Sequence, residues 1–286
     1  MWKKFSVILS VLALLVAMGC APDEEEPRET ISMPYVEWDC AVASTDVAAA
    51  VLQEELGYDV ERISVGASAM WEGVRTGDMD AHVAAWLPVT HEEYMEAAEG
   101  EVVDLGVLTE GAKIGLVVPD YVDVDSIEDL NQYADQFDNT ITGIDPGAGV
   151  MSRTEEVIEE YELTDFELQE GSGATMAAAL ADAIRDDDWI AVTGWSPHWK
   201  FGRWDLKYLD DPKNVYGDAE YIGKIARQGL EEDHPEVYNF LNNFEFPQEE
   251  MAVVMDWNEE YPDDRYANAV RYIEENPEKV QEWLGN

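Results

Sequence analysis

Ala81-His82-Val83-Ala84-Ala85-Trp86 is an apolar run that ends on an indole and is broken two residues later by Pro88. A short apolar run closed by a breaker reads as a buried β-strand. The pattern occurs twice more. Met33-Pro34-Tyr35-Val36-Glu37 leads into Trp38, and Trp189-Ile190-Ala191-Val192-Thr193-Gly194 leads into Trp195. Working outward, helical stretches alternate with these runs. Residues 45–56 carry apolar positions at helical spacing and stop at Gly57, and 69–75 stop at Gly77. Thr90 is placed to cap a helix through Ala98, with Glu93 as its capping-box partner. Further strands are expected over 58–65, 102–108 and 114–118.

A second unit repeats the rhythm. Helices are expected over 126–130, 150–161 and 174–184, and strands over 140–144, 166–169 and 189–193. From about residue 218 the chain reads as mainly helical, punctuated by Pro235, Pro247, Pro262 and Pro277. This alternation predicts an α/β fold with parallel sheet and helices on both faces. Two lobes are the economical arrangement, with lobe I from 32–117 plus 205–286 and lobe II from 118–204. A ligand cleft would lie between them.

The ends of the three strands carry the chemistry. In open α/β sheets ligands bind beyond the carboxyl ends of the strands. Trp38, Trp86 and Trp195 delivered there would form an aromatic box. Such a box suits a cation without N–H donors, because the ring quadrupole attracts it directly. A quaternary ammonium is the expected ligand class.

Asp145-Pro146-Gly147-Ala148-Gly149-Val150-Met151 joins a strand to a helix. The free N–H groups of a first helical turn, aided by the helix dipole, form an anion site, with Gly149 and Val150 the natural donors. A dinucleotide reading fails because Ser152 occupies the third glycine position of the fingerprint. His91 lies five residues past Trp86 and is placed to donate to a ligand carboxylate. The other histidines show no metal-ligand spacing, and no nucleophile elbow or Ser/His/Asp set is evident. Neither catalysis nor a cofactor or metal is expected.

Composition bounds the setting. The chain holds 63 acidic and 17 basic residues, a formal net charge of −46. No basic stripe is available for nucleic acid. Acids spread over the whole chain suit a high-salt habitat, where the screening length falls to roughly 3 Å at about 1 M salt. Lys3 and Lys4 precede an apolar segment from Phe5 to Met18 and then Gly19-Cys20. Residues 1–20 read as a signal peptide with a lipobox-like end, making Cys20 a lipidation site and the protein extracytoplasmic and membrane-anchored. Residues 21–31 read as an acidic tether. Cys40 then has no intramolecular partner and is expected as a buried thiol.

Four separated motifs carry a resemblance. Val36-Glu37-Trp38-Asp39, Ala85-Trp86-Leu87-Pro88-Val89-Thr90-His91, Gly143 through Met151, and Thr193-Gly194-Trp195-Ser196-Pro197-His198-Trp199 resemble the substrate-binding proteins of glycine betaine ABC importers. The similarity extends from about residue 33 to the C-terminus. It implies a two-lobed periplasmic-binding-protein-like fold that closes over glycine betaine or a related betaine, with an importer permease as partner. It implies a tryptophan box of Trp38, Trp86 and Trp195, and carboxylate contacts from the Gly149 and Val150 backbone and the His91 side chain. Trp71 falls in a similar stretch and is expected in a lobe or cleft rather than in the box. Choline or carnitine would be alternative ligands. A surface-anchored hydrolase using Cys40 or a serine, and a surface interaction module, are the alternatives from other classes.

Overall fold

In the computed structural model, which describes residues 28–286, the chain begins with β1 (Thr30–Tyr35), so strand replaces the expected tether from Thr30 onward. The signal segment, Cys20 and the tether up to residue 27 lie outside the described residues. Next come α1 (Asp39–Ala50), β2 (Asp59–Ser64), α2 (Ala67–Thr76), β3 (Ala81–Leu87), α3 (Glu92–Ala97) and β4 (Val102–Pro119). β5 (Thr140–Thr142), α4 (Gly149–Glu160), β6 (Glu167–Gln169), α5 (Gly173–Asp186) and β7 (Ala191–Ser196) follow. The chain continues through α6 (Lys200–Arg203), β8 (Leu206–Tyr208) and β9 (Glu220–Arg227), then α7 (Leu230–Asp233) and α8 (Pro235–Asn243). It ends with α9 (Gln248–Glu260), α10 (Arg265–Glu275) and α11 (Pro277–Trp283).

The sheet is mixed rather than parallel. β1 and β2 pair in parallel. The main sheet runs β3-β9-β4-β7-β5-β6, with β8 also on β4. Its centre is antiparallel: β9 pairs antiparallel with β3 and with β4, and β4 pairs antiparallel with β7. Only β5 with β6 and β5 with β7 are parallel there. Apolar runs mark strands that are buried on both faces, whatever their direction, so the pattern fixes burial and leaves polarity open.

Two expected strands, 102–108 and 114–118, are one. β4 is continuous through both and changes partner part-way. It pairs with β9 as far as Ala112 and with β7 from Lys113. A register shift between Glu110 and Ala112 is accommodated by Gly111, whose φ of 74° favours glycine. β9 itself was expected as part of the helical region. Gly223 and Lys224 interrupt its apolar run, yet Lys224 is 1% exposed. Its Nζ donates to the carbonyls of Asn242 and Phe244, 3.1 and 2.8 Å away, capping the C-terminal end of α8.

α1 is buried along almost its whole length because alanine and valine dominate it. It packs on β1 and β3 on one side and on α9 and α10 on the other, as a helix apolar all round must. Cys40 lies in it, and burial pushes its thiol up to about 12. A neutral, enclosed thiol is a poor nucleophile, which weighs against the Cys40 hydrolase reading.

Candidate functional site

Trp38, Trp86, Thr90, His91, Ile114, Ile144, Ala148, Gly149, Val150 and Trp195 line one cavity enclosing about 290 Å³, part of it open to solvent. The six residues singled out for binding are all in its wall. No charged side chain is among the ten.

Each indole is held by a different element. Trp38 occupies the N-cap position of α1 rather than a strand end, and its Nε1 donates to Asp145 Oδ1 at 3.1 Å. Trp86 lies within β3, opposite Ile222 of β9. Trp195 lies within β7, opposite Ile114 of β4. The three rings are 5%, 3% and 3% exposed, so a cation among them would be desolvated, where ring faces bind cations best.

His91 is fully buried and its geometry fixes its tautomer. Nδ1 accepts the Trp86 N–H at 3.1 Å and faces Trp71 Nε1 at 3.4 Å. Nδ1 is therefore unprotonated and the hydrogen sits on Nε2, which has no partner among the described residues. Burial drives the imidazole down to about 3, so it is neutral. An unpaired buried donor facing a cavity is a binding group in search of an acceptor. Trp71 itself does not line the cavity and braces His91 from behind.

Across the cavity, α4 begins at Gly149 with Ala148 as its N-cap, and no side chain caps it. The Gly149 and Val150 N–H groups have no partner among the described residues. Gly149 lies against Thr90: a Cβ on it would be 2.1 Å from the Thr90 carbonyl oxygen. Only glycine allows α4 to approach this closely.

Thr90 does not cap α3, contrary to expectation. α3 starts at Glu92 with His91 at its N-cap position and no side-chain cap. The Thr90 hydroxyl instead bonds Glu220 at the start of β9. Glu220 also accepts the Thr90 and Val89 N–H groups at 3.0 and 3.2 Å. It thus anchors the turn that carries His91. Burial raises its carboxyl above the usual range despite these donors. No motif in the sequence pointed to Glu220, because the strand it opens was not recognised.

The profile of the substrate-binding domain of ABC-type glycine betaine transport systems matches residues 29–275. The chain belongs to that family. The glycine betaine/carnitine transport binding protein GbuC of Listeria monocytogenes is 47% identical over 161 residues, covering 56% of this chain and 52% of GbuC. The chain thus matches about half the length of that relative. Lactococcal OpuAC, in its closed-liganded conformation complexed with glycine betaine, aligns with a TM-score of 0.85 and 38% identity, covering 90% of this chain and 99% of that one. The glycine/betaine/L-proline-binding protein ProX of Borrelia burgdorferi aligns with a TM-score of 0.87 and 37% identity, covering 89% and 96%. These are transport substrate-binding proteins, not a class of enzymes, and the periplasmic-binding-protein-like fold is the one they share with this chain.

Proposed function

We propose that this chain captures glycine betaine, or a closely related trimethylammonium carboxylate, outside the membrane and delivers it to the permease of an ABC importer. The observation that carries this reading is the division of one uncharged cavity into two kinds of wall. Indole rings of Trp38, Trp86 and Trp195 serve the cation, each desolvated contact contributing about 2 kcal/mol. The Gly149 and Val150 N–H groups and His91 Nε2–H serve the carboxylate. Neutral donors and neutral rings together match a zwitterion of zero net charge. Choline offers one uncharged hydroxyl oxygen in place of a carboxylate, too little to satisfy all three donors, which disfavours it.

The site draws on two groups of elements. Trp38, Trp86 and His91 sit with the β3-β9 side of the sheet, which we take as lobe I. Gly149, Val150 and Trp195 sit with the β7-β5-β6 side, which takes β4 from Lys113 onward and β8 as well and which we take as lobe II. Ligand touching both favours the closed arrangement by differential contact. Cys20 would carry the lipid that keeps the protein at the membrane.

Isothermal titration of residues 21–286 with glycine betaine and with choline, in molar salt, tests the reading. Tight betaine binding with weak choline binding is the expected result. Choline binding alone would discard the carboxylate role of Gly149, Val150 and His91. No heat from either ligand, with folded protein, would return the interaction module to the front.

A further inference from the structure

Behind Trp195 lies a group that the binding reading does not use. Lys200 is fully buried, and among the described residues its Nζ has no hydrogen-bond partner and no carboxylate lies within ion-pair distance of it. Its Nζ rests 4.2 Å from the centroid of the Trp195 ring and 5.3 Å from that of Phe201. Lys200 is not part of the cavity wall, whereas Trp195 is. The same indole therefore serves the cavity and a protein ammonium together. A buried lysine without a carboxylate partner is expensive to keep, and at a binding site that calls for a reason.

We propose that Lys200 is a specificity-determining residue, whose ammonium against the Trp195 ring competes with the cationic head of a ligand for that ring and so sets how strongly the box prefers a cation to an uncharged head of the same shape. Two cations drawing on one ring quadrupole oppose each other, and their mutual repulsion is little screened in a dry interior. This rests on the role given to Trp195 above.

The neighbours of Lys200 oppose its charge with one carboxylate that does not pair with it. From α1, Asp39 and Cys40 face it, and Cys40 is a neutral thiol. From its own turn comes His198, whose Nδ1 accepts the Lys200 N–H at 3.1 Å. Burial holds His198 well below its usual range, so it too is neutral. Asp39, whose Oδ2 is 3.2 Å from His198 Nε2, is the one facing anion. Burial raises its carboxyl, with Trp199, Lys200 and Arg265 of α10 pulling the other way, and Glu259 of α9 feels its charge in turn. Burial lowers Lys200 to about 7, so the ammonium is present below neutrality and fades above it.

The test compares glycine betaine with its carbon isostere 3,3-dimethylbutanoate, which has the same shape and carboxylate but no cationic nitrogen. Affinities of the purified protein and of Lys200→Met are measured for both ligands near pH 6 and near pH 9. Any loss of packing affects both ligands and cancels in their affinity ratio. The expected result is a betaine-to-isostere ratio about fivefold higher in Lys200→Met than in wild type near pH 6. The two proteins should converge near pH 9. In wild type the ratio should rise between the two pH values, a readout that needs no variant to fold. A ratio unchanged by Lys200→Met near pH 6, or flat with pH in wild type, overturns the role of Lys200. Failure of wild type to bind betaine at all overturns instead the function on which it rests.

Discussion

Gly149 and Thr90 touch so closely that a Cβ on the glycine would come within 2.1 Å of the threonine carbonyl oxygen and 2.6 Å of its Cγ2. The contact joins the N-terminal end of α4 to the turn bearing His91, so it exists only when these two parts of the site are together. Backbone, unlike a flexible side chain, cannot yield to an added methyl. Gly149→Ala is expected to weaken betaine binding by at least about tenfold, the scale of a small core overpacking. Thermal stability without ligand should change little, because the halves can part to relieve the clash. Titration calorimetry and a melting curve on the same sample check both statements. A variant that binds as wild type would show that the approach at Thr90 is not needed for binding.

Trp86→Ala and Trp195→Ala should each weaken betaine by roughly 30-fold, the equivalent of one desolvated cation–π contact of about 2 kcal/mol. Replacement by phenylalanine should restore part of the affinity, since the smaller ring keeps a negative face. Unaltered dissociation constants in both alanine variants would remove the indole box.

Glu220→Gln keeps the size of the side chain and removes the charge that holds Val89 and Thr90. The amide oxygen can stand where Oε2 accepts both N–H groups, but without charge, and the new NH₂ meets the Thr90 hydroxyl, which must turn from donor to acceptor. Hydrogen bonds to a buried charge contribute about 1.5–3 kcal/mol, so betaine affinity should fall about tenfold or more through displacement of His91. The check is calorimetry alongside the indole fluorescence spectrum. A shifted spectrum with unaltered affinity would separate Glu220 from the site.

His82 and His91 are both buried, and burial lowers each to about 3. The folded values lie below that of an unfolded histidine, so the unfolded chain binds more protons as pH falls below about 6.5. The stability each neutral imidazole carries is complete above that pH and lost progressively toward pH 3. Glu220, raised by burial, acts in the opposite sense. His82 does not line the cavity, so His82→Gln isolates the effect. Over about pH 4.5 to 6, the pH slope of its unfolding free energy should be shallower than wild type by about 1.4 kcal/mol per unit. Equal slopes from urea unfolding would show that His82 is not held neutral.

The aromatic site was legible in the sequence because tryptophan is chemically distinctive and three of them ended apolar runs. Gly149 and Val150 were legible as the opening of a helix, a signal that needs no tertiary information. Strand direction was not, since an apolar run marks burial without polarity. β9 was hidden by Gly223 and by Lys224, whose burial is understandable only once the α8 carbonyls it caps are known. Glu220 and Lys200 were missed for a related reason. A charged side chain reads as surface until the fold shows what it faces, and in this chain of 63 acids a single internal glutamate has no local mark.

Ile114 forms part of the cavity wall, and it is one residue past the point where β4 exchanges β9 for β7. If the halves swing about that crossing, bound solute lies close to the fulcrum. A few tenths of an ångström gained between indole and ammonium then correspond to a much longer arc at the rims, where a membrane protein could feel them. On that geometry the strand would act as a lever with a short inner arm, turning modest contact energy at the solute into large travel at the periphery.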